Sequence, residues 1–248
     1  MLRFIAAGLV IPAGLALCRA GTLWARPVLQ PEVKEYVQEA GSFGAQGLPV
    51  RYQNQRQCRI AADEIPSSGA RETFAGTDEC STPGVYIAVV GSPIGQRLAD
   101  AFSLKVPDRP QGYALAARNG RVAIVGHDPF GALYGAETFR QMAVDGTVEN
   151  AVVRDWPDIL TRGALSVGRG LWQLGNGETQ TGRLARMKSG FDEMVRHKLN
   201  AVTDIYRISL SVGEDEARFW HELLTYATDR GIWIDEYVYT ALWYRCNK

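Results

Sequence analysis

The stretch QGYALAARNGRVAIVGHDPFGALYGAETFRQM, residues 111–142, decides the fold, because two strand-like runs, a tight turn and a capped helix follow one another within it. Gly112 to Arg118 is small and apolar, and Arg121 to Gly126 returns as a Val/Ile run. Between them, Asn119-Gly120 tolerates positive φ at both centres of a type I′ turn, so the two runs form a hairpin. Asp128 then offers a side-chain acceptor to free helix N–H groups, and Pro129 sits where a missing N–H costs nothing. A helix therefore starts here, with Ala132, Ala136, Phe139 and Ala143 on one face. Gly135 beside that face lets the helix approach the hairpin nearly backbone to backbone.

Upstream, Val85 to Val90 is a compact apolar run between Pro83-Gly84 and Gly91, which suits a buried strand. Ile94 to Phe102 reads as a short helix and Val148 to Val153 as another strand. With the hairpin these give a small α+β domain, a sheet with helices on one face. Pro31 to Ala40 reads as a helix with Val33, Tyr36 and Val37 on one side. From Gly41 to Gly84 periodicity is weak, and Val50 to Tyr52 and Gln57 to Ala61 read as short strands.

Downstream, Arg154-Asp155-Trp156-Pro157-Asp158 disfavours helix and marks a boundary, and Arg162 to Val167 has strand character. Leu184, Met187, Phe191, Met194 and Val195 recur at helical spacing, and Ala201 to Tyr206 is a second strand. Ser211 and Glu214 have capping-box spacing before a helix with Trp220, Leu223, Leu224 and Ala227 inside. Gly231 ends that helix, and Ile232 to Tyr239 is a third strand. Strand, helix, strand, helix, strand implies right-handed parallel crossovers, as at the start of a barrel or a doubly wound sheet.

Lys plus Arg and Asp plus Glu are 27 each, which excludes the basic footprint of a nucleic-acid or anionic-membrane binder and favours a neutral, sugar-like ligand. Met1-Leu2-Arg3 followed by the apolar run Phe4 to Leu17 resembles a secretory signal peptide with cleavage after Ala20 or Ala25, giving a secreted or periplasmic protein. Leu17 directly before Cys18 disfavours a lipoprotein. Export would permit a Cys58–Cys80 disulfide, with Cys246 left over. No residue spacing resembles a metal site, and nothing in the motifs asks for a cofactor.

Gly112, Tyr113, Leu115, then Gly131, Tyr134, Gly135, Thr138, Arg140 and Gln141 match the pattern G-Y-x-L, hairpin, G-x-x-Y-G-x-x-T-x-R-Q. This resembles the small α+β domain that precedes the barrel in β-N-acetylhexosaminidases, the family-20 glycoside hydrolases. A second block agrees in order, with Asp155-x-Pro157 and Arg162-Gly163 before the first barrel strand and Lys198-x-Asn200 before the second. With the signal peptide read over residues 1–25, the resemblance implies the α+β domain over 26–153 and the first units of a (β/α) TIM-type barrel over 154–248. The residues from Arg154 onward are far fewer than the roughly 250 of a complete barrel, so the barrel is incomplete here. The longer helix usual in the first part of that domain is not evident.

The resemblance further implies a carbohydrate substrate, most closely a β-N-acetylhexosaminide. It makes Arg169, just beyond the first barrel strand, a sugar-binding candidate, although the family's R-G-x-x-x-D-x-x-R spacing is one residue shorter here and lacks its acid. Asp204 on the second strand is a pocket candidate. Those enzymes use an adjacent Asp-Glu pair, Glu as proton donor and Asp orienting the acetamide. Asp235-Glu236 has that text, but on the third strand and not the fourth, where neighbours point to opposite faces. The chain is thus expected to be inactive alone, with no assigned catalytic residue. The different-class alternative is a noncatalytic carbohydrate-binding or interaction protein, and an α-glucuronidase-like enzyme is a further reading. A serine hydrolase built on Ser166 lacks the strand-turn-helix its elbow requires, and His127, His197 and His221 show no triad order.

Overall fold

The computed structural model describes residues 27–74, 78–143, 145–166, 177–206 and 213–238, with the side chains of 78–79, 164–166, 204–206 and 235–238 outside the description. The elements in chain order are β1 Glu35–Gly44, β2 Val50–Tyr52, α1 Arg56–Asp63, β3 Arg71–Thr73, β4 Gly84–Val89, α2 Pro93–Ala101, β5 Tyr113–Arg118 and β6 Arg121–Gly126. There follow α3 Pro129–Met142, β7 Thr147–Asp155, β8 Gly163–Ser166, α4 Gln180–Arg196, β9 Ala201–Tyr206, α5 Glu214–Asp229 and β10 Trp233–Val238.

The hairpin forms as its residues dictate. β5 and β6 pair antiparallel from Tyr113↔Gly126 to Arg118↔Arg121, and Asn119 and Gly120 take φ of 51° and 81° at the turn. Asp128 Oδ1 accepts the Gly131 N–H at 2.8 Å and its Oδ2 accepts the Gln111 N–H at 2.6 Å, so one carboxylate caps α3 and pins the chain entering β5. Asp128→Ala is expected to lower stability by about 1–2 kcal/mol; an unchanged thermal midpoint would show that the cap contributes nothing. On α3, Ala132, Ala136 and Phe139 are fully buried. A Cβ at Gly135 would lie 2.6 Å from Ile124 Cγ2, so only glycine permits this approach of helix to sheet.

The sheet has the order β1-β7-β5-β6-β4-β2-β3, antiparallel from β1 to β6 and parallel from β6 onward. Strand alternation divides its core. Val85, Ile87, Leu115, Val122 and Ile124 face α1 and α3, while Tyr86, Ala88, Ala114, Ala116, Ala123 and Val125 face Leu98, Ala99 and Phe102 of α2 and its end. The α+β class is as expected, but helices cover both faces and not one. Cys58 lies in the first core and Cys80 in the second, on opposite sides of the sheet, and the two form no disulfide. Burial pushes the Cys58 thiol up to about 12, which makes it a packing residue and not a nucleophile.

Three other expectations need correction. The helix over Pro31–Ala40 is instead the edge strand β1, paired with β7 and broken by a register shift between Gln38 and Ser42 where Gly41 takes φ 98°. The strand over Gln57–Ala61 is the helix α1, whose buried Cys58, Ala61, Ala62 and the following Ile65 recur at i, i+3, i+4 and i+7. At the start of α5 the cap is Gly213, which makes no side-chain bond, and Ser211 lies outside the described residues; Glu214, Asp215 and Glu216 in the first turn meet the helix dipole. The inward stripe of α5 is Phe219, Leu223 and Ala227, with Leu224 exposed.

β8, β9 and β10 form a parallel sheet in the order β10-β9-β8, joined by α4 and α5. The core that begins at α1 and α3 continues without interruption through Met187, Phe191 and Val195 of α4 to Phe219, Leu223 and Ala227 of α5. The helical layer of the small domain is thus shared with the second unit.

Candidate functional site at the junction of the two sheets

Where the sheets meet, the chain buries an ionic network. Lys198, 5% exposed, follows α4 with φ 56° and directs Nζ back into the small domain. It donates to Asp155 Oδ2 at 2.8 Å and to Tyr113 Oη at 2.9 Å. Tyr113 Oη is 2.6 Å from Thr138 Oγ1, which joins β5, α3 and β7 to the second unit through one ammonium. Asp155 Oδ1 also accepts the Lys34 N–H at 3.3 Å. Desolvation lowers the Lys198 pKa, partly offset by the Asp155 charge, and desolvation raises that of the fully buried Tyr113 well above the ordinary phenol value.

Arg162 and Asn200 build the adjoining layer. The Arg162 guanidinium donates to Lys198 O at 2.8 Å, Ile159 O at 2.8 Å and Gln111 Oε1 at 2.8 Å, and lies 5.4 Å from the Tyr134 ring centre. Asn200 Oδ1 accepts the Arg162 N–H at 2.6 Å, and its Nδ2 donates to Leu160 O at 2.7 Å. Asn200 O accepts the Trp233 N–H at 2.7 Å, so the starts of β8, β9 and β10 are fixed together. Gln111, Tyr113, Tyr134, Asp155, Trp156 and Arg162 line a cleft of ≈ 170 Å³ with Lys198 at its base.

This network sits at the N-terminal ends of the parallel strands, before Gly163 and Ala201. In parallel α/β sheets ligands bind at the carboxyl ends, and the amino ends serve stability. Every guanidinium nitrogen of Arg162 and both oxygens of Asp155 are engaged within the protein. The arrangement can therefore hold the two sheets in register, with the hydrogen-bonding capacity of Arg162 and Asp155 taken up by the protein itself.

The sequence-derived candidates lie elsewhere. Arg169 falls outside the described residues. Asp204 is the fourth residue of β9, and Asp235 and Glu236 are consecutive residues inside β10, in register with Thr203 and Asp204. β10 runs on to Val238, so the strand has not ended at the pair. Their side chains lie outside the description, and so do residues 1–26 and Cys246. Among the histidines, His127 precedes α3 with Asp108 3.6 Å away, His197 ends α4 beside Glu193, and His221 lies on α5. The junction residues were visible in sequence only as motif letters: Tyr113, Thr138, Asp155, Arg162, Lys198 and Asn200 each stand in a quoted block, without any sign that they would meet.

Residues 29–156 match the family model described as glycosyl hydrolase family 20, domain 2. Among solved structures, the chain is similar to the β-N-acetylhexosaminidase of Bacteroides fragilis NCTC 9343, with TM-score 0.61 and 16% identity over 85% of this chain and 44% of that one. It is similar to the GH20 β-N-acetylhexosaminidase of Streptomyces coelicolor A3(2), with TM-score 0.61 and 18% identity over 86% of this chain and 47% of that one. CpGH84D matches with TM-score 0.63 and 11% identity over 85% of this chain and 37% of that one. At such identities the likeness is one of fold, and the chain spans less than half the length of each of these structures. The seven-stranded unit that carries Tyr113, Thr138 and Asp155 is covered by the matched model, and the chain belongs to glycosyl hydrolase family 20.

Proposed function

We propose that this chain is the N-terminal part of an exported glycoside hydrolase acting on carbohydrate, β-N-acetylhexosaminides above others, and that it does not hydrolyse them by itself. The observation that carries the reading is the family domain locked by Lys198 and Asp155 onto a βαβαβ unit. The similar solved hexosaminidases support the substrate class. β10 is an edge strand among the described residues, and Trp233 is 71% exposed beside Leu224 on α5, which supports continuation of the parallel sheet into a barrel. In this reading Arg169 and Asp204 serve the sugar site at the carboxyl ends of the strands, and Asp235-Glu236 is not the catalytic pair. Hydrolysis requires an acid and a second group on either side of one bond.

The test is to assay purified residues 27–248 against aryl N-acetyl-β-glucosaminides. The expected result is no turnover above a heat-treated control. Turnover abolished by Glu236→Gln would overturn the reading and make that pair catalytic. In a protein carrying the complete barrel, Arg169→Ala is expected to weaken sugar binding without altering the unfolding transition.

A further inference from the structure

On the other side of α3 from the hairpin, the seam between the small domain and α4–α5 holds a second charged cluster. Glu137 of α3 is 0% exposed. Its Oε2 accepts from Arg140 Nε at 2.7 Å, while its Oε1 is buried with no hydrogen-bond partner among the described residues. Across the seam, Arg196 at the end of α4 has a buried Nε that is likewise unpartnered, its Nη1 being turned to Glu193. Glu64 at the end of α1 faces the same cluster, near Asp192 and Arg196 of α4 and Arg230 just after α5. Asp192 is already engaged by Tyr226 Oη at 2.7 Å and Arg230 Nε at 2.8 Å, so Arg230 is committed away from Glu137.

A buried carboxylate oxygen without a partner costs the desolvation of a charge, and an acid escapes that cost by keeping its proton. We propose that Glu137 makes the seam between the two domains a proton-operated latch, closed while its carboxyl is protonated and loosened when it ionises. Arg140 favours the ionised form, Arg196 does so more weakly because it offers no hydrogen bond, and the buried Lys198 ammonium also attracts the Glu137 charge. Burial and the Glu64 carboxylate oppose all three. Their balance holds the Glu137 pKa up at about 7, against an ordinary 4.5, with burial the largest cause. Glu64 is raised in the same direction, again mainly by burial and then by Asp192, so its ionisation adds to the effect.

The sign follows from proton linkage. The closed seam binds the Glu137 proton more tightly than an opened, hydrated seam does. Closure is therefore unpenalised below about 4.5, weakens as pH rises from there to about 7, and is constant above. The full span corresponds to a rise in seam opening on the order of 10²-fold.

Amide hydrogen exchange on the full chain reads this directly. Between pH 5 and pH 8, after correction for intrinsic exchange, protection of the α3 amides around Glu137 is expected to fall on the order of 10²-fold relative to amides of β5 and β6. Glu137→Gln, which mimics the protonated acid, should remove most of that dependence. No pH dependence in the wild type, or an undiminished one in the variant, would overturn the proposal. The wild-type carboxyl itself supplies a measurement independent of how the variant folds. Its carbon-13 shift is expected to titrate near 7, and a midpoint at the ordinary carboxylate value would equally overturn it.

Discussion

Lys198→Ala is expected to destabilise the chain by about 4 kcal/mol, because it leaves the Asp155 carboxylate, 7% exposed, facing Tyr113 with its countercharge gone. The loss is not the worth of an ion pair. Two charges taken from water gain little net energy by meeting, whereas one left alone carries its full desolvation penalty. Lys198→Met combined with Asp155→Leu should consequently cost less than Lys198→Ala, although it removes more polar groups. Urea unfolding of the three proteins separates these terms. A double variant weaker than the single one would show that the network's hydrogen bonds to Tyr113 and Thr138, and not its charge balance, hold the junction.

Gly131→Ala is expected to cost about 3 kcal/mol, from overpacking that a rigid contact cannot relax. A Cβ there would overlap the carbonyl oxygen of Gly112, a backbone atom held from both sides. Gly112 O accepts the His127 N–H at 2.8 Å, and Gly112 N donates to Arg109 O at 2.9 Å. The first turn of α3 would have to lift off the loop that feeds β5, loosening Gln111 from Asp128 and Arg162. Denaturant midpoints check this, and a loss under about 1 kcal/mol would mean that the loop gives way easily.

The hairpin and α3 were legible because each local signal there agrees with the tertiary structure: Asn119-Gly120 for the turn, Asp128-Pro129 for the cap, an alanine stripe for the buried face. β1 was not, because Val33, Tyr36 and Val37 imitate helical spacing in a segment whose conformation is set by hydrogen bonds to β7, far away in sequence. α1 was missed for the opposite reason. Cys58, Ala61, Ala62 and Ile65 are correctly spaced, but small residues and Cys carry a weak apolar signal amid Gln and Arg. The junction was half legible. Tyr113, Thr138, Asp155, Arg162, Lys198 and Asn200 all stand in the blocks that carry the family resemblance, yet no local pattern shows that Lys198 reaches Asp155. Glu137 gave no sign at all, since only the packing of α1 and α4 against α3 makes an ordinary helix-surface residue type into a buried acid.

The pairing of β1 with β7 has a consequence for the order in which the polypeptide can acquire its shape. Glu35 meets Arg154 through two hydrogen bonds of 2.9 and 2.7 Å, and Gln38 pairs with Ala151. Asn150 also reaches from β7 to Ala40 O at 2.7 Å and to the hairpin at Asn119. As the chain is synthesised, β1 emerges before the other strands of its sheet and must wait for the whole of the small domain before its partner strand appears. Until then its backbone donors and acceptors have no ladder, and closing so long a loop is slow. The last strand to be made therefore completes the sheet beside the first, and it carries directly into Asp155, so the step that finishes the small domain also presents the acid on which Lys198 then closes.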